Sequence, residues 1–166
     1  MNSILNTIRF IVFLLLQVVI FNNILLFGFL NPYPYILFIL LFPINGNKFY
    51  FLISSFLLGL FLDVFLNSGG VHTMASLLLA YARPFFFKFS FGLNYEYQTI
   101  KIAEKFSPER LTFLFTTILY HHLILFSMEF FRWSLFFQII YRTFLSTLFT
   151  LMLSVIIIYL IKPNKR

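Results

Sequence analysis

Gly59-Leu60-Phe61-Leu62-Asp63-Val64-Phe65-Leu66-Asn67-Ser68-Gly69-Gly70-Val71-His72-Thr73 sets an acid near the end of an apolar helix and follows it with a polar, glycine-rich turn. Counting from Asp63 in fours gives Gly59 and Ser55 in one direction and Asn67 in the other, so at helical spacing these four share a face. The bulky Phe56, Leu60, Phe61 and Val64 fall mostly elsewhere. A face of small and polar residues lets a second helix backbone come close, which is how helices associate in lipid. An ionised carboxylate facing hydrocarbon costs roughly 2.5–3.5 kcal/mol or more, so Asp63 is expected to face protein or water. After the turn, His72, Ser76 and Ala80 recur four apart, with Arg83 three further on. Two spans joined by so short a turn are antiparallel neighbours.

The rest of the chain fixes the solvent of these helices. Of its 166 residues, 61% are apolar, 22% aromatic and only 10% charged, and the mean hydropathy is +0.94. A soluble domain carries about 25% charged residues, so this chain has too little polar surface to cover itself in water. Its apolar runs are continuous rather than alternating, which excludes a barrel built of strands about ten residues long. The expectation is an all-α, polytopic integral membrane protein, a single transmembrane helical domain over residues 1–166. With no cysteine, thiol chemistry and disulfides are excluded. A net charge of +7 would suggest nucleic acid in a soluble protein, but here the basic residues flank apolar segments, so no nucleic-acid partner is expected.

Segment one is expected from about Ile8 to Phe27, long enough to span a bilayer. It exceeds the usual signal-peptide core and lacks a small-residue cleavage site, so it is expected to stay as an anchor. Gly28, Asn31, Pro32 and Pro34 make a turn. Segment two, about Tyr35 to Ile44, is short for a span and calls for tilt or a thinned crossing within the bundle. Segment three covers about Phe49 to Leu66. Segment four starts near His72 and is broken or kinked at Arg83-Pro84, leaving Phe85 to Phe91 at the interface. Gly92 to Arg110 is a polar connection ending in Ser107-Pro108-Glu109, an N-cap, a proline at the first helical position and an acid in the first turn. Segments five and six follow, about Leu111 to Phe131 and Tyr141 to Ile161.

Six spans put both termini on one side. The 12 Lys and Arg residues then divide ten to two. Arg9, Lys48, Arg83, Lys88, Lys101, Lys105, Arg110, Lys162, Lys165 and Arg166 share the side of the termini, and Arg132 and Arg142 lie opposite. By the positive-inside rule both termini are cytoplasmic.

Two polar constellations stand out. Asp63 lies about 6 Å below the outer turn on a straight helix, within reach of His72, Thr73 or Ser76. Arg83 lies about 16 Å further down the next helix and is too deep to pair with it. Asp63 is then either a hydrogen-bonded clasp between two helices or a proton or substrate site. As a clasp it would tolerate Asp63→Asn; as a proton or substrate site it would not. His121 and His122 are adjacent, so they point about 100° apart and cannot share one metal as a pair four apart would. Glu129 lies seven after His122 and eight after His121, so one face could link them; these three and Arg83 are expected as polar groups buried between helices. There is no His-Glu-x-x-His, no serine with a histidine at motif spacing and no glycine-rich phosphate loop. Neither an enzyme nor a cofactor or metal is expected.

The pattern resembles MreD, the rod shape-determining membrane protein family of bacteria. The resemblance rests on a small protein of six spans, on Pro32 and Pro34 after the first, and on the short turn Pro43-Ile44-Asn45-Gly46. It rests also on Gly59-Leu60-x-x-Asp63 followed by Ser68-Gly69-Gly70 and a small-residue helix start. It implies a non-enzymatic component of the cell-elongation machinery in the bacterial cytoplasmic (inner) membrane. The partners implied are an MreC-like bitopic protein and, through it or directly, MreB and the RodA–penicillin-binding-protein pair of peptidoglycan synthesis. The family also appears distantly similar in fold to the substrate-binding subunits of energy-coupling-factor transporters. That makes a small-molecule-binding transport subunit the alternative.

Overall fold

The computed structural model describes residues 2–28, 30–44, 46–92 and 107–161, with the side chains of residues 2, 3 and 133 left aside. The chain is an all-helical, polytopic membrane protein: among the described residues only one isolated pair, Leu26 with Leu30, bonds in the manner of a strand. Its helices are α1 (Asn2–Leu15), α2 (Ile36–Leu41), α3 (Lys48–Leu66), α4 (Val71–Phe91), α5 (Pro108–Phe130) and α6 (Phe136–Ile161). α1 runs on as a π-helical turn, Leu16–Ile20, and a 3-10 turn, Phe21–Asn23. Among the described residues, four stretches are long and apolar enough to cross a membrane: Ile4–Asn23, Lys48–Leu66, Pro108–Phe130 and Phe136–Ile161. Their outward faces carry large apolar side chains, such as Val64, Phe65, Phe137 and Leu160, which suit lipid rather than water.

Local chemistry explains the helix ends. Asn47 caps α3, its side chain accepting from the Phe49 N–H at 2.9 Å. Ser107 caps α5 with Pro108 at the first helical position. The α3–α4 turn needs left-handed backbone at Asn67 (φ 52°), Gly69 (φ 69°) and Gly70 (φ 96°), which asparagine and glycine adopt at least cost. Asn67 is therefore a helix cap, exposed in the turn, rather than the last member of the Asp63 face. α4 also departs from expectation, because it runs unbroken through Pro84 to Phe91. In a bilayer, losing one backbone bond costs less than unravelling a turn whose every polar group would then need a partner.

The second segment departs most. Its helix is six residues long, about 9 Å of rise, and it is flanked by non-helical backbone. Yet Tyr35, Ile36, Leu37, Ile39 and Leu40 are wholly buried, and they form the centre of the main core with Leu58, Leu62, Leu79, Phe113 and Ile118. This is a broken crossing. Tyr35 bonds His72 at the start of α4, whereas the carbonyls of Leu40 and Phe42 bond Arg83, about three turns further along it. Asn6 and Thr7 of α1 line the same cleft as Asn47 and Tyr50 of α3, so α1 and α3 start at one end of the bundle and the stretch between them must return across it. With the α3–α4 and α5–α6 hairpins, the chain crosses six times.

Backbone at membrane depth is tolerated where protein satisfies it, and here side chains from several helices do so. Gln17 Nε2 donates to the Pro32 carbonyl at 3.1 Å. Thr150 Oγ1 accepts from the Tyr33 N–H at 3.1 Å. Arg83 Nη2 donates to Leu40 O at 3.0 Å and to Phe42 O, at the end of α2. Its guanidinium carbon also lies 4.9 Å from the ring centres of both Phe51 and Phe87, whose faces attract the cation. Arg83 is thus a buried cation held by carbonyls and rings.

Two predictions follow from this architecture. Reporter fusions after Ser68 and Asn94 should signal on opposite sides, Ser68 outside and Asn94 in the cytoplasm; a shared side for both would overturn the six-crossing arrangement. Arg83→Ala should lower stability in detergent by about 2–4 kcal/mol, because two hydrogen bonds from a charged donor are lost and two buried carbonyls lose partners. Arg83→Lys, with a shorter reach and no planar fork, should recover part of this. Unfolding midpoints for the three proteins would check it.

Candidate functional site

The polar residues singled out in the sequence fall into a clasp at the α3–α4 turn and a buried core cluster, with Arg83 below them. In the clasp, Asp63 is buried and both of its oxygens are doubly engaged. Oδ1 accepts from Ser68 Oγ at 2.6 Å and from the His72 N–H at 3.0 Å. Oδ2 accepts from the Thr73 N–H at 2.8 Å and from Thr73 Oγ1 at 2.5 Å. The carboxylate therefore caps the first turn of α4 and takes up backbone donors that a helix start leaves over. Of the donors expected, Thr73 contributes side chain and backbone and His72 its backbone alone; Ser76 makes no bond to Asp63. Ser68, in the turn, supplies the fourth donor.

Gly59 explains how α3 and α4 come close enough for this. A Cβ placed there would sit 2.5 Å from Thr73 Cα and 2.6 Å from His72 O. No side chain fits against backbone at those distances. Ser55, one turn earlier, is wholly buried and bonds back to Phe51 O at 2.8 Å, so it presents a small surface. Ser76 and Ala80 are buried on α4.

The core cluster is centred on Tyr35. Its hydroxyl lies 3.0 Å from His72 Nδ1 and 2.8 Å from His121 Nε2. A phenol has one proton, so one imidazole accepts it and the other donates to the same oxygen. The broken segment, α4 and α5 are thereby joined at one atom. His122, also wholly buried, faces α6: its Nδ1 is 3.3 Å from Thr147 Oγ1 and its Nε2 3.4 Å from Thr150 Oγ1. The Tyr33 ring packs against both His72 and His122, with centres 5.8 and 5.3 Å apart. The adjacent histidines thus serve different neighbours, α2 and α6. Glu129 does not join them: it is exposed and lies one residue from the end of α5. Pro32 and Pro34 are buried at the entry to α2.

Sequence reasoning missed Gln17, Tyr33, Tyr35, Thr147 and Thr150. A signal existed for α6, where Thr143, Ser146, Thr147, Thr150 and Ser154 recur at helical spacing in an otherwise apolar helix and are all buried. None existed for Tyr35, which follows a proline and precedes a continuous apolar run.

The clasp geometry changes what substitution should do. Asparagine keeps one acceptor oxygen, so it leaves the donors on the other side, including a backbone N–H, facing an NH₂ group. Asp63→Asn should therefore cost about 1–2 kcal/mol, and Asp63→Leu at least twice that. Gly59→Leu should do comparable damage without touching a charge. Unfolding midpoints of the three variants test this; an Asp63→Asn protein as stable as the parent would argue against the clasp.

Compared with protein-family models, with curated proteins and with solved structures, the chain shows no match.

Proposed function

We propose that this protein is a non-enzymatic membrane scaffold of the bacterial rod-shape machinery, as its resemblance to MreD suggests. In this reading it sits in the cytoplasmic membrane and binds an MreC-like bitopic protein. Through that partner, or directly, it is linked to MreB and to the RodA–penicillin-binding-protein pair. The observation that carries the reading is how the interior polar groups are employed. Asp63, Arg83, Gln17, Tyr35 and His122 each bond another segment of the same chain, as suits a rigid frame that presents fixed outer surfaces. Helices held in this way offer a partner helix a preformed face, which lowers the ordering cost of association.

Affinity purification from native membranes tests the proposal. The protein should carry an MreC-like bitopic partner and lack hydrolase activity, and Gly59→Leu should reduce partner recovery severalfold by spreading α3 from α4. Recovery with an ATPase module, together with submicromolar binding of a small ligand, would favour the transport-subunit alternative instead.

A further inference from the structure

At the end of the bundle opposite the starts of α1 and α3, three non-glycine residues among those described have left-handed backbone: Asn67 (φ 52°), Phe27 (φ 55°) and Phe131 (φ 30°). Asparagine is an ordinary choice for such a position. Phenylalanine is a rare one, and Phe27 and Phe131 are 80% and 83% exposed. Phe131 ends α5, whereas Phe27 belongs to a hairpin. Leu26 and Leu30 exchange both of their backbone bonds, at 2.9 and 3.0 Å, and the Gly28 N–H donates to the Leu25 carbonyl at 3.4 Å. The neck of this hairpin is polar. Asn31 Nδ2 lies 3.4 Å from Asn22 O, and Asn23 Nδ2 donates to Val19 O at 2.8 Å. The tip is not: Ile24, Leu25, Leu26 and Phe27 are consecutive, apolar and exposed.

Lipid is the occupant that fits this tip. Its exposed apolar surface follows that of Val19 and Ile20, on the stretch Ile4–Asn23 that is long and apolar enough to span the membrane. The chain carries no charged residue between Arg9 and Lys48, so no charge on this segment holds the tip in water. The Leu26–Leu30 pair takes up two N–H and two C=O groups, which lowers the cost of leaving water. We infer that residues 24–28 form an interfacial wedge. Their backbone lies at the headgroup–acyl boundary of the leaflet at this end, the outer one by the division of basic residues, and Leu25 and Phe27 reach into the acyl chains. Interfacial segments bury their apolar face by about 5–10 Å in this way, and the neck asparagines stay at headgroup level. The wedge is a contact with lipid, independent of any partner protein.

The chain has no cysteine, so a single introduced cysteine carries a nitroxide without background. Leu25→Cys and Phe27→Cys, labelled in the full chain and placed in phosphatidylglycerol–phosphatidylethanolamine vesicles, test the wedge against two references. Val64→Cys lies on the exposed apolar face of α3 and Lys48→Cys at its exposed start. Relaxation by oxygen, which concentrates among acyl chains, should exceed relaxation by a water-soluble nickel chelate at residues 25 and 27, as at 64; the order should reverse at 48. Adding Phe27→Asp to the Leu25 label should raise its exposure to the chelate severalfold, because a carboxylate is expelled from the acyl region. The Leu25 label keeps Phe27 and so holds the test if the label at 27 is poorly tolerated. Chelate access at 25 and 27 equal to that at 48 would put the tip in water and overturn the inference. Protection from both reagents would mean that a second copy of the chain covers the tip, and would overturn it equally, as would a Leu25 label that Phe27→Asp leaves unmoved.

Discussion

The backbone from Leu30 to Ile44 must cross a membrane without a continuous helix, and much of this structure answers that constraint. A spanning helix satisfies its own N–H and C=O groups; a broken one leaves several of them buried at a cost of kilocalories apiece. The remedy is distributed. Gln17 reaches in from α1, Arg83 from α4 and Thr150 from α6, each to a backbone atom of the crossing, while His72 and His121 meet the Tyr35 hydroxyl. Every polar side chain at these positions would be a liability in an ordinary apolar helix. Here each has a carbonyl, an N–H or a hydroxyl to serve.

The Asp63 clasp stands beside this arrangement and supports it. Gly59 sets the distance between α3 and α4, and the carboxylate locks the start of α4 once that distance is reached. The start of α4 is where His72 lies, so fixing its backbone N–H also fixes the imidazole that meets Tyr35. One carboxylate thus links a surface turn to the buried cluster through a single residue.

Much of the helical frame was legible in the sequence because hydropathy reports what lipid demands. α3, α5 and α6, the Ser107 cap and the Asp63–Thr73 proximity all follow from local patterns of residue type and spacing. What was not legible depends on partners distant in the chain. A six-residue helix has no stability of its own, so no local signal announces α2; its stability comes from the elements packed around it. Pro84 reads as a stop by local rules but sits where the bilayer forbids unravelling. Glu129 has the right spacing to accompany the histidines, but spacing is blind to where a helix ends. Asn67 has a helical interval from Asp63 and yet leaves the helix, because the glycine turn requires a left-handed residue there.

The Thr150–Tyr33 bond joins residues 117 positions apart, and this orders the protein's biogenesis. A ribosome delivers the second crossing long before it delivers α6, and Arg83 also emerges after the carbonyls it will serve. In that interval the stretch from Leu30 to Ile44 has Gln17 from α1 but still lacks the later donors and acceptors for its backbone, so lipid is a poor host for it. It can settle only when the later helices arrive, and the hydroxyl from the last of them is among the contacts that complete it. The satisfaction of the Tyr33 N–H therefore waits on α6, although the segment it belongs to lies near the beginning of the chain.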